Sequence, residues 1–195
     1  MPHDWKDIRY LEAGSLPQQL AYRLLRQAAI LPRLHAYDPI LVGTFPLDIT
    51  VPGSDLDIIC AVYDFAAFLR ATAYFSALPA YAVRPLALQG GVPAQVVSFI
   101  LEGVEVEIFG QPIATEQQNG YRHMVVEARL LEAGGSALKQ QVIACKASGL
   151  KTEPAFAQLL SLPGNPYQAL LALEDCDAAA LQTLIVAAGF AGSKQ

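Results

Sequence analysis

The stretch Leu41-Val42-Gly43-Thr44, then ten residues, then Asp55-Leu56-Asp57-Ile58-Ile59-Cys60, decides how this chain is read. It describes a buried strand ending in a Gly-Thr turn, a loop, and a second strand that carries two carboxylates. Side chains alternate along a strand, so Asp55 and Asp57 share one face while Leu56 and Ile58 take the other. At a rise of about 3.3 Å per residue their Cα atoms lie roughly 6.5 Å apart. Two acids so close within an apolar run repel each other and resist desolvation, and a divalent cation is the simplest compensation. For the pair alone, a solvated acidic face on an edge strand would look the same.

A second acidic segment follows. Gln95 to Leu101, Glu102-Gly103 and Val104-Glu105-Val106-Glu107-Ile108-Phe109 form a predicted hairpin with a tight Gly-containing turn. Glu105 and Glu107 alternate with valines and isoleucine and point to one side. Taken alone they read as a solvated hairpin face; the strand runs out just after Glu107 toward Gly110, which favours Glu107 over its rival Glu105 once a family resemblance calls for a third acid.

These residues resemble the nucleotidyltransferase superfamily, which includes DNA polymerase beta and the small antibiotic-modifying nucleotidyltransferases. Its pattern is an apolar residue, Gly, then Ser or Gly, a spacer of about a dozen residues, and Asp-apolar-Asp-apolar. Val42, Gly43, Asp55, Leu56, Asp57 and Ile58 fit it, and Ser54 before the first acid is also common there. Thr44 stands where the family has Ser or Gly, and Glu107 where Asp is commoner. The chain also looks like a small uncharacterised bacterial family of nucleotidyltransferase-like proteins that adds a Gln-Asn-x-Tyr-Arg-His-Met segment. Gln118, Asn119, Tyr121, Arg122, His123 and Met124 match it.

The resemblance implies a Mg²⁺-dependent (alternatively Mn²⁺-dependent) transfer of NMP from an NTP to a hydroxyl. Asp55, Asp57 and Glu107 would be the metal-binding catalytic acids, with Gly43, Thr44 and Ser54 near the phosphates. Arg122, and Lys151 in the loop after Gly149, are the candidate cations for nucleotide binding. The acceptor is unknown, with a small molecule favoured over protein or RNA. The competing reading is a catalytically inactive nucleotide-binding or protein-interaction module of the same fold. His123 reads as a partly buried structural residue, with a general base as the alternative. Gln117 and Gln118 suit a helix start or base contacts, and His3 and His35 carry no signal.

The chain has 195 residues, 53% of them hydrophobic and 16% charged, enough for a real core and unlike a disordered segment. Its 13 basic and 18 acidic residues leave a net charge of -5, which argues against an extended nucleic-acid track. Cys60, Cys145 and Cys176 show neither metal-ligand nor disulfide spacing, and Cys60 reads as a buried small hydrophobe. The polar start lacks a signal-peptide core, and no apolar run reaches the roughly 20 residues of a membrane helix, so a cytoplasmic protein is expected.

Along the chain, Ser15 caps a predicted helix over Gln18 to Leu31 with Leu20, Leu24, Ala28 and Leu31 inward. Strands are expected at 40–43, 55–62 and 81–88, a Gln89-Gly90-Gly91 turn next, and a helix over 65–75 capped by Asp64. From Thr115 the pattern turns helical, over about 116–133, 137–148, 155–160, 167–173 and 178–188, punctuated by glycines and prolines. The predicted fold is α+β: a small mixed sheet of nucleotidyltransferase type in residues 1–112, flanked by helices. A helical region, 113–195, is expected to pack on it. The alanine-rich C-terminal helices suit either the core or a homodimer face.

Overall fold

The computed structural model describes residues 4–88 and 91–190. His3 and the Gln89-Gly90 part of the expected turn lie outside the described residues. The chain divides into two compact units: residues 1–48 with 53–121, and residues 49–52 with 122–195.

The first unit is built on a mixed five-stranded sheet. Its strands are β1 (Ile40–Val42), β2 (Leu56–Ala61), β3 (Ala82–Ala87), β4 (Pro93–Leu101) and β5 (Val104–Gln111), in the order β1-β2-β5-β4-β3. Every neighbouring pair is antiparallel except β2 and β5, which run parallel with Asp57 opposite Glu107. The β4–β5 hairpin turns at Glu102 and Gly103, both at positive φ (49° and 85°), the conformation that follows the twist of the flanking strands. Pro85 is tolerated on β3 because β3 is an edge strand.

One face of the sheet carries Leu41, Leu56, Ile58, Cys60, Val97, Phe99, Val106 and Ile108, all buried in a single cluster. Helix α1 (Leu16–Gln27), the short α2 (Ile30–Arg33) and α3 (Phe65–Thr72) cover this face, contributing Leu24, Leu25, Ile30 and Phe68. Phe75 stacks on Phe99 with ring centroids 4.8 Å apart. Gly110 is required here, since an added Cβ would lie 2.7 Å from Val62 Cγ2. Cys60 is fully buried, as expected of a small hydrophobe, and burial pushes its thiol pKa up.

Ser15 caps α1 in a full capping box with Gln18. The helix stops at Gln27, earlier than expected, because Ala29 adopts a left-handed conformation (φ 50°) and restarts the chain as α2. Asp64 caps α3, which passes into a 3-10 turn over Ala73–Phe75.

The second unit is helical. Helix α4 (Asn119–Ala147) begins in the first unit and is broken at Gly135 (φ 59°, ψ -157°), inside the Gly134-Gly135-Ser136 connector expected to interrupt it. It is followed by α5 (Thr152–Leu159), α6 (Pro166–Leu171) and α7 (Ala178–Ala187). Among the described residues no helix is long and apolar enough to cross a membrane.

Candidate metal centre

The register of the sheet assembles the site. Asp57 sits on β2 and Asp55 just before that strand, so Asp55 enters as a loop residue rather than the predicted strand residue. The parallel β2–β5 pairing puts Glu107 directly across from Asp57, and paired residues share a face. One carboxylate oxygen from each of Asp55, Asp57 and Glu107 lies within 4.8 Å of the others. Each of the three residues is partly exposed, on the face opposite the buried cluster. Glu105, the rival, is exposed and pairs with Ile100 one step before the β2 ladder begins.

The Gly-Thr turn closes on the same acids. Gly43 has φ +78°, and a Cβ there would fall 2.7 Å from Asp57 Oδ2. Only a glycine lets the backbone lie against that carboxylate without strain. Thr44 is buried, and its Oγ1 finds no hydrogen-bond partner among the described residues. The segment beyond is anchored from α1: Gln18 Nε2 donates to the carbonyls of Phe45 (3.2 Å) and Pro46 (3.1 Å). The helix cap thereby also holds the loop that follows the turn. Ser54 is half-buried immediately before Asp55.

This donor set suits a hard divalent cation. All three groups are carboxylates, which such ions prefer over nitrogen or sulfur ligands. One cationic neighbour of this cluster was missed by sequence reasoning. Arg84 Nη2 donates to Glu107 Oε1 at 2.8 Å. Nothing local in Val83-Arg84-Pro85 marks that role, since it arises only once β3 joins the sheet.

The other sequence candidates have roles of their own. Gln118 Nε2 donates to the carbonyls of Cys60 and Ile113, both at 2.9 Å, which makes it a buried brace rather than a base contact. Gln117 and His35 are exposed. Arg122 lies in the second unit and forks onto Glu174, with Nε 3.0 Å from both carboxylate oxygens. Its hydrogen bonds are the main reason the Glu174 carboxyl is held below the usual range. Lys151 is exposed at the N-cap of α5. His123 is buried in the second unit, with Nε2 2.9 Å from the Tyr167 carbonyl and Nδ1 3.4 Å from Glu153 Oε1. Beside it on α4, Glu127 is buried, and burial first, then Glu153, pushes its carboxyl up to about 8.

Residues 23–173 match a family described as a Domain of unknown function (DUF4269). No curated protein matches the sequence. Among solved structures, one from the GLD-2/RNP-8 complex aligns over 96% of this chain and 73% of its own, at 11% identity and a TM-score of 0.50. The polymerase core of TRAMP, an RNA surveillance complex, aligns over 93% and 61% at 13% identity, with a TM-score of 0.48. The Cid1 poly(U) polymerase bound to MgATP aligns over 79% and 47% at 14% identity, with a TM-score of 0.48. The chain thus spans about half the length of that polymerase. At such identities the likeness is one of fold, an α+β arrangement of a mixed sheet with flanking helices.

Proposed function

This chain belongs to the DUF4269 family, a domain of unknown function, and we propose that it is a metal-dependent nucleotidyltransferase. The reaction would move an NMP from an NTP to a hydroxyl of an acceptor, with pyrophosphate leaving. The observation that carries this reading is the convergence within 4.8 Å of Asp57 and Glu107, paired on parallel strands, with Asp55 from the preceding loop, beside the Gly43 turn.

Asp55, Asp57 and Glu107 would hold Mg²⁺, or Mn²⁺ in its place. When bound, the ion would supply charge neutralisation at the phosphates and a lowered pKa for the acceptor hydroxyl. The chain's own residues do the rest. Gly43 presents backbone without a side chain, leaving room for phosphate oxygens beside Asp57. The buried Thr44 hydroxyl, which has no hydrogen-bond partner among the described residues, is a donor suited to the turn or to a phosphate. Glu107, whose side chain is 28% exposed, would accept the acceptor's proton. With a net charge of -5 the chain is poorly matched to a long polyanion, which favours a small hydroxylated acceptor.

Calorimetric titration with α,β-methylene analogues of ATP, CTP, GTP and UTP tests the reading. Binding that requires Mg²⁺ and is lost in EDTA is expected for at least one of the four, and that analogue then directs an acceptor screen. Failure of all four would return the triad to a solvated acidic face.

A further inference from the structure

Arg84 lies outside every motif that marks the site, yet it is the residue that grips Glu107. Register places both on the acidic face. Arg84 pairs with Val96, Val96 with Phe109, and Glu107 two residues earlier pairs with Ser98. The arginine therefore reaches diagonally across β4 to β5. With strands spaced about 4.8 Å apart, that is a gap of roughly 10 Å between chains, within range of two long side chains. Ser98, the β4 residue level with Glu107, is small and leaves the route open.

Stability does not account for this reach. The Arg84 side chain is 54% exposed and that of Glu107 28%, and ion pairs so well hydrated add little to a fold. Charge at the triad does account for it. Three carboxylates within 4.8 Å need a cation, and a guanidinium on one of them meets part of that need. A carboxylate that shares its charge with a guanidinium is a weaker ligand for a metal ion, so the two cations compete for Glu107. A displaced guanidinium on an exposed strand needs another anion, and its planar fork matches phosphate.

Resting on the nucleotidyltransferase reading, we propose that Arg84 is a mobile counter-charge of the site. It holds Glu107 when the acids have no metal, and it passes to the triphosphate of the incoming nucleotide when Glu107 turns to the metal. It is thus a substrate-binding residue whose removal has opposite effects on the two ligands.

The test measures Mn²⁺ affinity without nucleotide, by the paramagnetic resonance of free Mn²⁺, and α,β-methylene ATP affinity at saturating Mn²⁺. The proteins are the wild-type chain, Arg84→Gln, Arg84→Lys and Asp57→Asn. Arg84→Gln is expected to bind Mn²⁺ about two- to fivefold more tightly, the range of an exposed ion pair. It is expected to bind the analogue about tenfold more weakly, the loss of a charge-assisted hydrogen bond. Arg84→Lys should compete with the metal as wild type does but recover only part of the triphosphate affinity, being a point charge. Unchanged affinities in Arg84→Gln, or changes of the same sign, would overturn the proposal. A wild-type Mn²⁺ affinity no better than that of Asp57→Asn would instead show that the triad itself is not a metal site, and Arg84 would lose its role with it.

Discussion

In the first unit Asp55, Asp57 and Glu107 crowd together on a partly exposed sheet face, while in the second Glu127 lies buried within reach of the charge on Glu153. Both places gather carboxylates, and they relieve the crowding by different means. The triad stays open to water, is flanked by a side-chain-free turn at Gly43, and draws in one guanidinium. Glu127 has neither opening nor strong partner: burial raises its carboxyl to about 8, and Lys146 opposes this only in part. Its Oε1 finds no hydrogen bond among the described residues. A proton is the natural occupant of the second place, and under the proposed function a metal cation would be that of the first. Exposure and geometry, more than the number of acids, decide which counter-ion a cluster selects.

Asp57→Asn breaks the comparison most directly. It removes the central acid of the triad while leaving the buried face of β2 untouched. Loss of an outer-shell partner already costs metal sites about 10- to 100-fold, so loss of a ligand should cost at least the upper figure. Mn²⁺ binding and any transfer activity are expected to fall to background, with the circular dichroism spectrum and melting temperature retained. A variant that binds Mn²⁺ like wild type would make the triad a solvated acidic patch.

Glu127→Gln sharpens the other side. A carboxyl raised in the folded state from 4.5 to about 8 binds a proton in the folded chain that the unfolded chain has released. Between those two values the folded state therefore holds more protons, and stability falls as pH rises. Below about 4.5 both states are protonated and the effect is absent. The groups facing Glu127 are Glu153 on α5, which adds to the rise, and Lys146 at the end of α4, which opposes it. The glutamine variant should flatten the decline between pH 5 and 8 and leave the protein more stable than wild type at pH 8, by on the order of 4 kcal/mol. Chemical denaturation at a series of pH values measures it, and parallel wild-type and variant curves would refute the assignment.

What the residues revealed in advance follows from the range of each signal. The cap at Ser15, the Glu102-Gly103 hairpin and the break at Gly135 are local, since the first depends on a side-chain oxygen beside the helix start and the other two on a positive φ at a few residues. Asp57 and Glu107 were legible as acids on strands, but their meeting depends on the parallel β2–β5 pairing, which no short window encodes. Arg84 was invisible for the same reason, being recruited across two strands. The early end of α1 had no marker either, because Ala29 takes a left-handed conformation that an alanine does not signal. Gln118 looked available as a ligand contact, and its burial beneath Cys60 and Ile113 could not be read from its helix-start position.

Gly43→Ala is expected to act on both fold and site at moderate size. Its φ of +78° disfavours any side chain by about 1 kcal/mol, and the added Cβ would press on Asp57 Oδ2 at 2.7 Å. Because the carboxylate can swing, the larger effect should be on the triad. A loss of Mn²⁺ affinity of roughly tenfold is expected alongside a small drop in melting temperature. If stability falls while metal affinity holds, the turn is merely structural and the triad does not depend on it.

Arg122→Gln should have the smallest effect, and its value lies in separating the two units. The Arg122–Glu174 pair is bidentate, but both side chains are about one-third exposed. An ion pair in that setting contributes about 1 kcal/mol or less. Glu174 is also tied through its carbonyl, which accepts from Arg129 Nη1 at 2.7 Å, so the loop at the end of α6 keeps a second anchor when Arg122 is neutralised. The variant should therefore melt slightly lower than wild type and bind Mn²⁺ at the triad with unchanged affinity. Nucleotide affinity is the informative quantity. Arg122 is already committed to Glu174 by a two-pronged contact, and a guanidinium so held is a poor candidate to follow a phosphate. An unchanged affinity for the α,β-methylene analogue would leave Arg84, on the edge of the sheet, as the cation that distinguishes the metal centre from an acidic surface. A loss comparable to that of Arg84→Gln would mean that Glu174 releases Arg122 when nucleotide binds.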